Sequence, residues 1–195
     1  MDSARILESA TPEVRNLFDQ LQLLKSSLSR GYAKQFDRSL PFGEMLSDRW
    51  EKAKELSFGE GTSIYDDTLV FGKVKVGRNT WIGPFVVLDG SGGLEIGDFC
   101  SISSGVQIYS HNTVKWALSG GKMQYEYKAT SIGSNCFIGP MCIIQNGVSV
   151  GSNSVIGANS FVNADVPPLS IAAGNPAKVI GKVEISNGDV RLIFS

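Results

Sequence analysis

An aliphatic residue returns at every sixth position over long stretches of the chain: Val70, Val76, Ile82 and Leu88; Ile96, Ile102 and Ile108; then Ile132, Ile138, Ile144, Val150, Ile156 and Val162. An amphipathic helix repeats near 3.6 residues and a plain strand at 2, so neither accounts for a strict six. A short strand followed by a tight turn does. The aliphatic residue points inward, and a glycine directly after it (77, 83, 97, 133, 139, 151 or 157) tolerates close backbone approach. Three such sides close one flat coil, and coils stacked at a strand spacing of about 4.8 Å bury a column of aliphatic side chains. Small or branched side chains, such as Val74, Thr80, Val86, Val106, Val148, Ser154 and Ser160, often stand four positions after the aliphatic residue. Cys100, Cys136 and Cys142 occupy that same position, which predicts buried packing rather than reactivity. Three cysteines cannot all pair within one chain and form no C-x-x-C, so no disulfide framework is expected.

Residues 1–58 do not carry the beat. In the stretch from Thr11 to Gly31, the side chains of Val14, Leu17, Phe18, Leu21, Leu24 and Leu28 fall on one helical face. Thr11 suits the N-cap, Pro12 the first helical position and Glu13 the dipole, while Gly31 suits a place beyond the end. A second short helix is expected near Ser47 to Leu56, with Trp50, Ala53 and Leu56 as its apolar contacts. The expected organisation is a helical N-terminal extension (1–58), a coil domain (59–183) and a C-terminal tail (184–195).

The beat stops after Ile108 and resumes at Ile132, twenty-four residues later and therefore in phase. Residues 110–129 thus form an inserted loop that preserves the scaffold, and long loops on rigid scaffolds are disproportionately functional. His111, the only histidine in the chain, stands at the root of this loop. It is either a solvated loop residue or a proton acceptor, a role that imidazole fills well because its ordinary pKa of about 6.5 leaves much of it neutral near pH 7.

Composition narrows the classes. With 18 basic and 19 acidic residues the net charge is -1, which gives no global attraction to nucleic acid or anionic lipid. No stretch approaches the roughly 18 apolar residues that span a bilayer, and the start has no basic segment followed by an apolar run. A cytoplasmic location is expected, with peripheral attachment to the inner face of a membrane left open. One histidine also excludes a multi-histidine zinc site within one subunit, and no metal is expected.

The hexad pattern, together with the closing segment "VNADVPPLSIAAGNPAKVIGKV", resembles the hexapeptide-repeat acyltransferases over roughly residues 59–183. The loop "SHNTVKWALSGG" is similar to that of the surface-polysaccharide sugar O-acetyltransferases within that group. The resemblance implies an all-β fold: a left-handed parallel β-helix, here with a helical extension and a projecting loop. It implies a homotrimer using acetyl-coenzyme A as co-substrate, an acceptor that is a sugar, nucleotide sugar or glycolipid, and His111 as general base. Some relatives place an acid directly after the histidine, where this chain has Asn112. Asp89 is the preferred partner; alternatively it only organises the Asp-Gly turn of "LDGSGG".

Carried over by motif, the coenzyme A contacts are Phe137, Gly139 and Pro140, then Gly157 and Ala158, then Asn163 and Ala164, then Lys178, with Lys182 in reach of a phosphate. Relatives commonly have a basic residue one position before Lys182, where Gly181 stands here. Both lysines alternatively serve only as surface solvators. In the loop, Trp116 could stack on a sugar ring or anchor the loop, and Lys115 or Lys122 could meet a phosphate. The expected reaction is acetyl transfer to a sugar hydroxyl of a surface polysaccharide or its precursor. N-acetylation of an amino sugar nucleotide and a non-catalytic coil used as a scaffold or binding module are the alternatives. The carbonic anhydrases of similar coil require three histidines and are excluded.

Overall fold

The computed structural model describes residues 7–195; residues 1–6 of the expected helical extension lie outside the described residues. The chain divides into two compact units at Asp48/Arg49.

In the first unit, α1 (Pro12–Phe36) starts as expected, with Thr11 in extended backbone and its hydroxyl facing the Val14 amide. Its end differs from expectation. Gly31 lies inside the helix, and the left-handed residue that closes it is Asp37 (φ 52°), whose amide reaches Ala33 while that of Arg38 reaches Tyr32. A single glycine costs a helix only about 1 kcal/mol, which the neighbouring turns absorb. A short α2 (Phe42–Leu46), not foreseen from the sequence, comes next.

The second unit opens with α3 (Arg49–Glu55), the expected short helix, which packs against β1 (Ser63–Ile64). Ala53 is buried and Leu56 packs on the core, whereas Trp50 is 55% exposed, with the Arg49 guanidinium over its ring. Trp50 therefore is not the apolar contact expected of it.

From β1 onward the chain winds as a left-handed parallel β-helix. Its first face stacks β1, β3 (Trp81–Ile82), β5 (Ser101–Ile102), β10 (Phe137–Ile138), β13 (Val155–Ile156) and β15 (Ser170–Gly174). The other two faces are joined into one sheet because β2 (Leu69–Val76) and β4 (Val87–Ile96) run through their common corner. On the second face β4 continues into β6 (Gln107–Ile108), β11 (Ile143–Ile144) and β14 (Phe161–Val162). On the third, β4 pairs with β9 (Thr130–Ile132), and β9 with β12 (Ser149–Val150). The register explains the hexads. Ile64 stacks on Ile82 and Ile138 on Ile156, eighteen residues or three hexads apart. Leu88 stacks on Ile108, twenty apart, because two residues are inserted at "SG"; Ile102 stacks on Ile138, thirty-six apart, because the loop adds another eighteen.

Twelve of the thirteen hexad residues are buried, and Val70 packs on them from the rim. The column starts earlier than the sequence reading placed it, since Ile64 and Phe58 are buried in the same phase. At the second inward position, hydroxyls and thiols serve one purpose: the Thr80 Oγ donates to Gly97 O at 2.9 Å, and the thiols of Cys100, Cys136 and Cys142 face Gly133 O, Gly151 O and Gly157 O at 3.0 to 3.2 Å. All three cysteines are buried and free, and burial pushes the Cys142 thiol up from its ordinary range.

The corners hold a feature that the pattern only half disclosed. The glycine after the aliphatic residue is there for close approach: a Cβ on Gly139 would lie 2.6 Å from the Ala158 amide nitrogen of the next coil. The left-handed residue of the turn comes two positions later, and is often asparagine, as at Asn79, Asn135, Asn153 and Asn159. The chain ends in an antiparallel hairpin in which β16 (Ala177–Ser186) pairs with β15 on one side and with β17 (Asp189–Phe194) on the other.

Candidate functional site

Asp89 stands at the corner after the second face, directly after the hexad residue Leu88, and Ile108 is stacked one coil above that leucine. Three residues past Ile108, His111 folds its ring back, and its Nδ1 lies 2.5 Å from Asp89 Oδ2. The structure thus brings together the two residues that the sequence reading paired. The carboxylate is almost fully buried, and each oxygen receives two donors. Oδ1 accepts from the Ser91 amide (3.0 Å) and hydroxyl (2.5 Å), and Oδ2 from the Ser110 amide (3.0 Å) and the histidine. The turn-organising and histidine-holding readings of Asp89 are therefore both realised, one on each oxygen.

Burial pushes this carboxyl up, but the bonds from the Ser91 hydroxyl, the Ser110 amide, His111 and the Ser91 amide outweigh it and hold the pKa at about 2. An ionised carboxylate only accepts, so His111 Nδ1 carries the proton and donates it. In the neutral ring this tautomer places the lone pair on Nε2, which has no hydrogen-bond partner among the described residues, and the side chain is 30% exposed.

Ser110 fixes the root of the loop. Fully buried, it donates its amide to Asp89, accepts the Gly92 amide on its hydroxyl at 2.8 Å and accepts the Lys128 amide on its carbonyl at 2.8 Å. Gly92 belongs to the small insertion after Asp89, and a Cβ there would overlap the Ser110 carbonyl oxygen. Ser91, Ser110 and Gly92 were missed from sequence. Their only signal was position, since the insertion in "LDGSGG" lies one coil below the loop root.

Beyond the root, β7 (His111–Asn112) pairs antiparallel with β8 (Glu126–Tyr127), and a single helical turn, α4 (Val114–Leu118), lies between them. Asn112, at the place where some relatives carry an acid, instead ties the loop down. Its amide donates to Glu126 Oε2 (2.7 Å) and to Asn146 Oδ1 (3.2 Å), and its carbonyl oxygen accepts the Val114 amide. Asn112, and then Lys128, hold the Glu126 carboxyl below its ordinary value. Tyr127 stacks on the imidazole with ring centroids 6.0 Å apart. Lys115 and Lys122 are exposed, and Trp116 packs edge-on against Tyr125 at 5.5 Å while remaining 41% exposed.

The residues carried over for coenzyme A fall on two edges of the prism. Gly139–Pro140 and Gly157–Ala158 stack one coil apart at the corner after the first face; Ala173 comes next, and Lys178 pairs with Ala173 across β15 and β16. Phe137, 44% exposed, sits just before that corner and lines a cleft with Val155 and with Val183, Ile185, Val190 and Leu192 of the hairpin. Asn163–Ala164 instead come after the second face, on the edge that carries Asp89. Lys178 has no ion-pair partner among the described residues, whereas Lys182 is held by Glu184 at 2.7 Å. Among the described residues no three His, Cys, Asp or Glu side chains converge to hold a metal, and no helix is long and apolar enough to cross a membrane.

Residues 129–164 match a family model described as the hexapeptide repeat of succinyl-transferase. Galactoside O-acetyltransferase of Escherichia coli (strain K12) is 31% identical, over 61% of this chain and 68% of that protein. The chain belongs to the hexapeptide-repeat acetyltransferases. It is therefore an acyltransferase, with a sugar-acting enzyme among its relatives. Serine acetyltransferase 2 of Arabidopsis thaliana is 34% identical over 53% of this chain and 31% of that protein. The fold is shared with AntD, an N-acyltransferase from Bacillus cereus solved with dTDP and 3-hydroxybutyryl-CoA. The TM-score is 0.57, with 24% identity over 64% of this chain and 71% of that one. Within the acetyltransferase fold, His111 and Asp89 lie on one edge and the Gly139 to Lys178 row on another.

Proposed function

We propose that the protein transfers the acetyl group of acetyl-coenzyme A to a sugar hydroxyl of a surface polysaccharide or its precursor, with His111 as general base. The observation that carries this reading is the His111–Asp89 pair, in which a buried carboxylate binds Nδ1 of a half-buried imidazole and so directs the lone pair of the neutral ring to Nε2. As a sugar hydroxyl attacks the thioester carbonyl, its proton passes to Nε2; the bond to sulfur then breaks and the imidazolium hands that proton to the departing sulfur, so that coenzyme A leaves as the thiol and the neutral base is restored. Asp89 remains ionised and stabilises the imidazolium that forms. The buried cysteines, each facing a turn carbonyl, are badly placed to carry an acyl group, which favours direct transfer.

Acetyl-coenzyme A suits the edge formed by Gly139, Pro140, Gly157 and Ala158, where the exposed residues Pro140 and Ala158 carry no bulky side chain and Lys178 supplies a cation near the end. Phe137 lies just before this edge, and Lys182 pairs with Ser170 at the start of the same face. Asn163 and Ala164 lie on the other edge, and a homotrimer would bring one protomer's first edge beside its neighbour's second, so that each site is completed between subunits. Sedimentation is expected to give a trimer; an active monomer at micromolar concentration would contradict it. Lys178→Glu replaces a phosphate-facing cation with an anion and is expected to weaken coenzyme A binding by about tenfold or more at low salt. Calorimetry showing unchanged affinity would remove Lys178 from the site.

Trp116, Lys115 and Lys122 are the acceptor-side residues of this reading. Incubation with radiolabelled acetyl-coenzyme A and a panel of sugars, amino sugar nucleotides and serine tests it. Label in an alkali-labile ester on a sugar is expected. Label appearing only on a nitrogen, or only on serine, would refute it.

A further inference from the structure

Resting on the sugar-acetylating reading above, we propose that the acceptor is an extended glycan of at least three sugar rings, held along the aromatic row Tyr127, Tyr125 and Trp116. The row begins at the imidazole. Tyr127 lies 6.0 Å from the His111 ring, Tyr125 lies 6.4 Å from Tyr127, and Trp116 lies 5.5 Å from Tyr125, each step about the span of one pyranose. Neighbouring ring planes are inclined by 29°, 45° and 88°, so the row does not form one flat plate.

Loop packing alone does not account for these rings. Tyr127, Tyr125 and Trp116 are 55%, 40% and 41% exposed, and no side chain between His111 and Ala129 is buried, so the aromatics build no miniature core. The loop is already fixed by other means: the pairing of β7 with β8, the three hydrogen bonds of Asn112, and the Ser119 hydroxyl, which accepts the Met123 amide at 2.9 Å. Three large rings left in water beside a base are suited to the apolar faces of sugars, with the phenols as polar handles. Neither the Tyr125 nor the Tyr127 hydroxyl has a hydrogen-bond partner among the described residues, so both are open to sugar hydroxyls. Tyr127, over the imidazole, would hold the reacting sugar or its immediate neighbour. Tyr125 and Trp116 would hold successive rings and thereby select chain length.

The test compares mono-, di-, tri- and tetrasaccharides of β1,4-linked galactose and of α1,4-linked galacturonic acid as acceptors, measuring kcat/KM for labelled acetyl transfer. For an accepted series, kcat/KM is expected to rise by about tenfold or more from one ring to three and then to level off. In Tyr125→Ala and in Trp116→Ala the ratio of trisaccharide to monosaccharide is expected to fall by about three- to tenfold, with the change in KM. Light scattering on each variant checks that assembly is unchanged. A wild-type enzyme that acetylates a monosaccharide as well as the longer chains would overturn the row as a glycan site and leave the sugar-acetylating reading standing. So would variants that alter assembly while keeping the length dependence, since a second copy of the chain would then be what covers the row. Transfer to none of the saccharides, with transfer to serine, would overturn both.

Discussion

Replacing His111 with alanine is expected to lower the rate of acetyl transfer by about a hundredfold to ten-thousandfold, the range associated with loss of a positioned general base. The fold should survive, because the imidazole lies outside the aliphatic column and the loop between Ile108 and Ile132 regains phase without supplying core. Coenzyme A binding should also survive, because none of the proposed contacts at Gly139, Gly157, Asn163 or Lys178 is made by the imidazole. The change therefore belongs in kcat, with coenzyme A affinity by calorimetry and assembly by sedimentation unaltered. A near-normal rate in a correctly assembled variant would return His111 to the status of an ordinary loop residue.

Asp89→Asn is expected to affect both catalysis and stability. An amide of the same shape offers one acceptor oxygen in place of two, so either the Ser91 donors or the Ser110 and His111 donors would face an NH2 group. A buried donor left unsatisfied costs about 1 to 3 kcal/mol. If the imidazole switches tautomer to suit the amide, Nε2 carries the proton and cannot accept another, and transfer should fall by about a hundredfold or more. The pH dependence has a definite sign. In the folded protein the Asp89 carboxyl titrates at about 2, below its ordinary value of 3.8. Its contribution is therefore fully present above pH 3.8 and is lost as the pH falls from there towards 2. Urea unfolding of the wild type should lose on the order of 2 kcal/mol across that window, and the asparagine variant should lack this loss. Equal acid limbs in the two proteins would contradict the role given to the carboxylate.

The scaffold was legible because its inward residues obey a period that no helix or plain strand shares, and burial forces that period on Ile82, Ile102, Ile138 and Ile156 alike. The pairing of Asp89 with His111 was legible for the same reason, since the twenty-residue register from Leu88 to Ile108 places Asp89 one coil below the segment that leads into His111. The support around the pair was not. Ser110 and Ser91 each act through a backbone amide as well as a hydroxyl, and where those groups point depends on the corner geometry that the insertion creates. Gly31 was misread because a lone glycine resembles a helix stop, while the actual stop, Asp37, uses a left-handed backbone that aspartate also tolerates. The hydrophobic face of α1 was read correctly as a pattern, yet none of its described residues is buried, because periodicity records which side is apolar and not what covers it.

The most direct test of the central claim is a single-turnover experiment with enzyme in excess over labelled acetyl-coenzyme A and an accepted sugar, quenched in acid at intervals. The account predicts that label moves in one step from the thioester to a sugar oxygen, that none accumulates on the protein, and that this step collapses in the His111→Ala variant. Label appearing first on the protein, or a transfer step of unchanged rate in that variant, would contradict it.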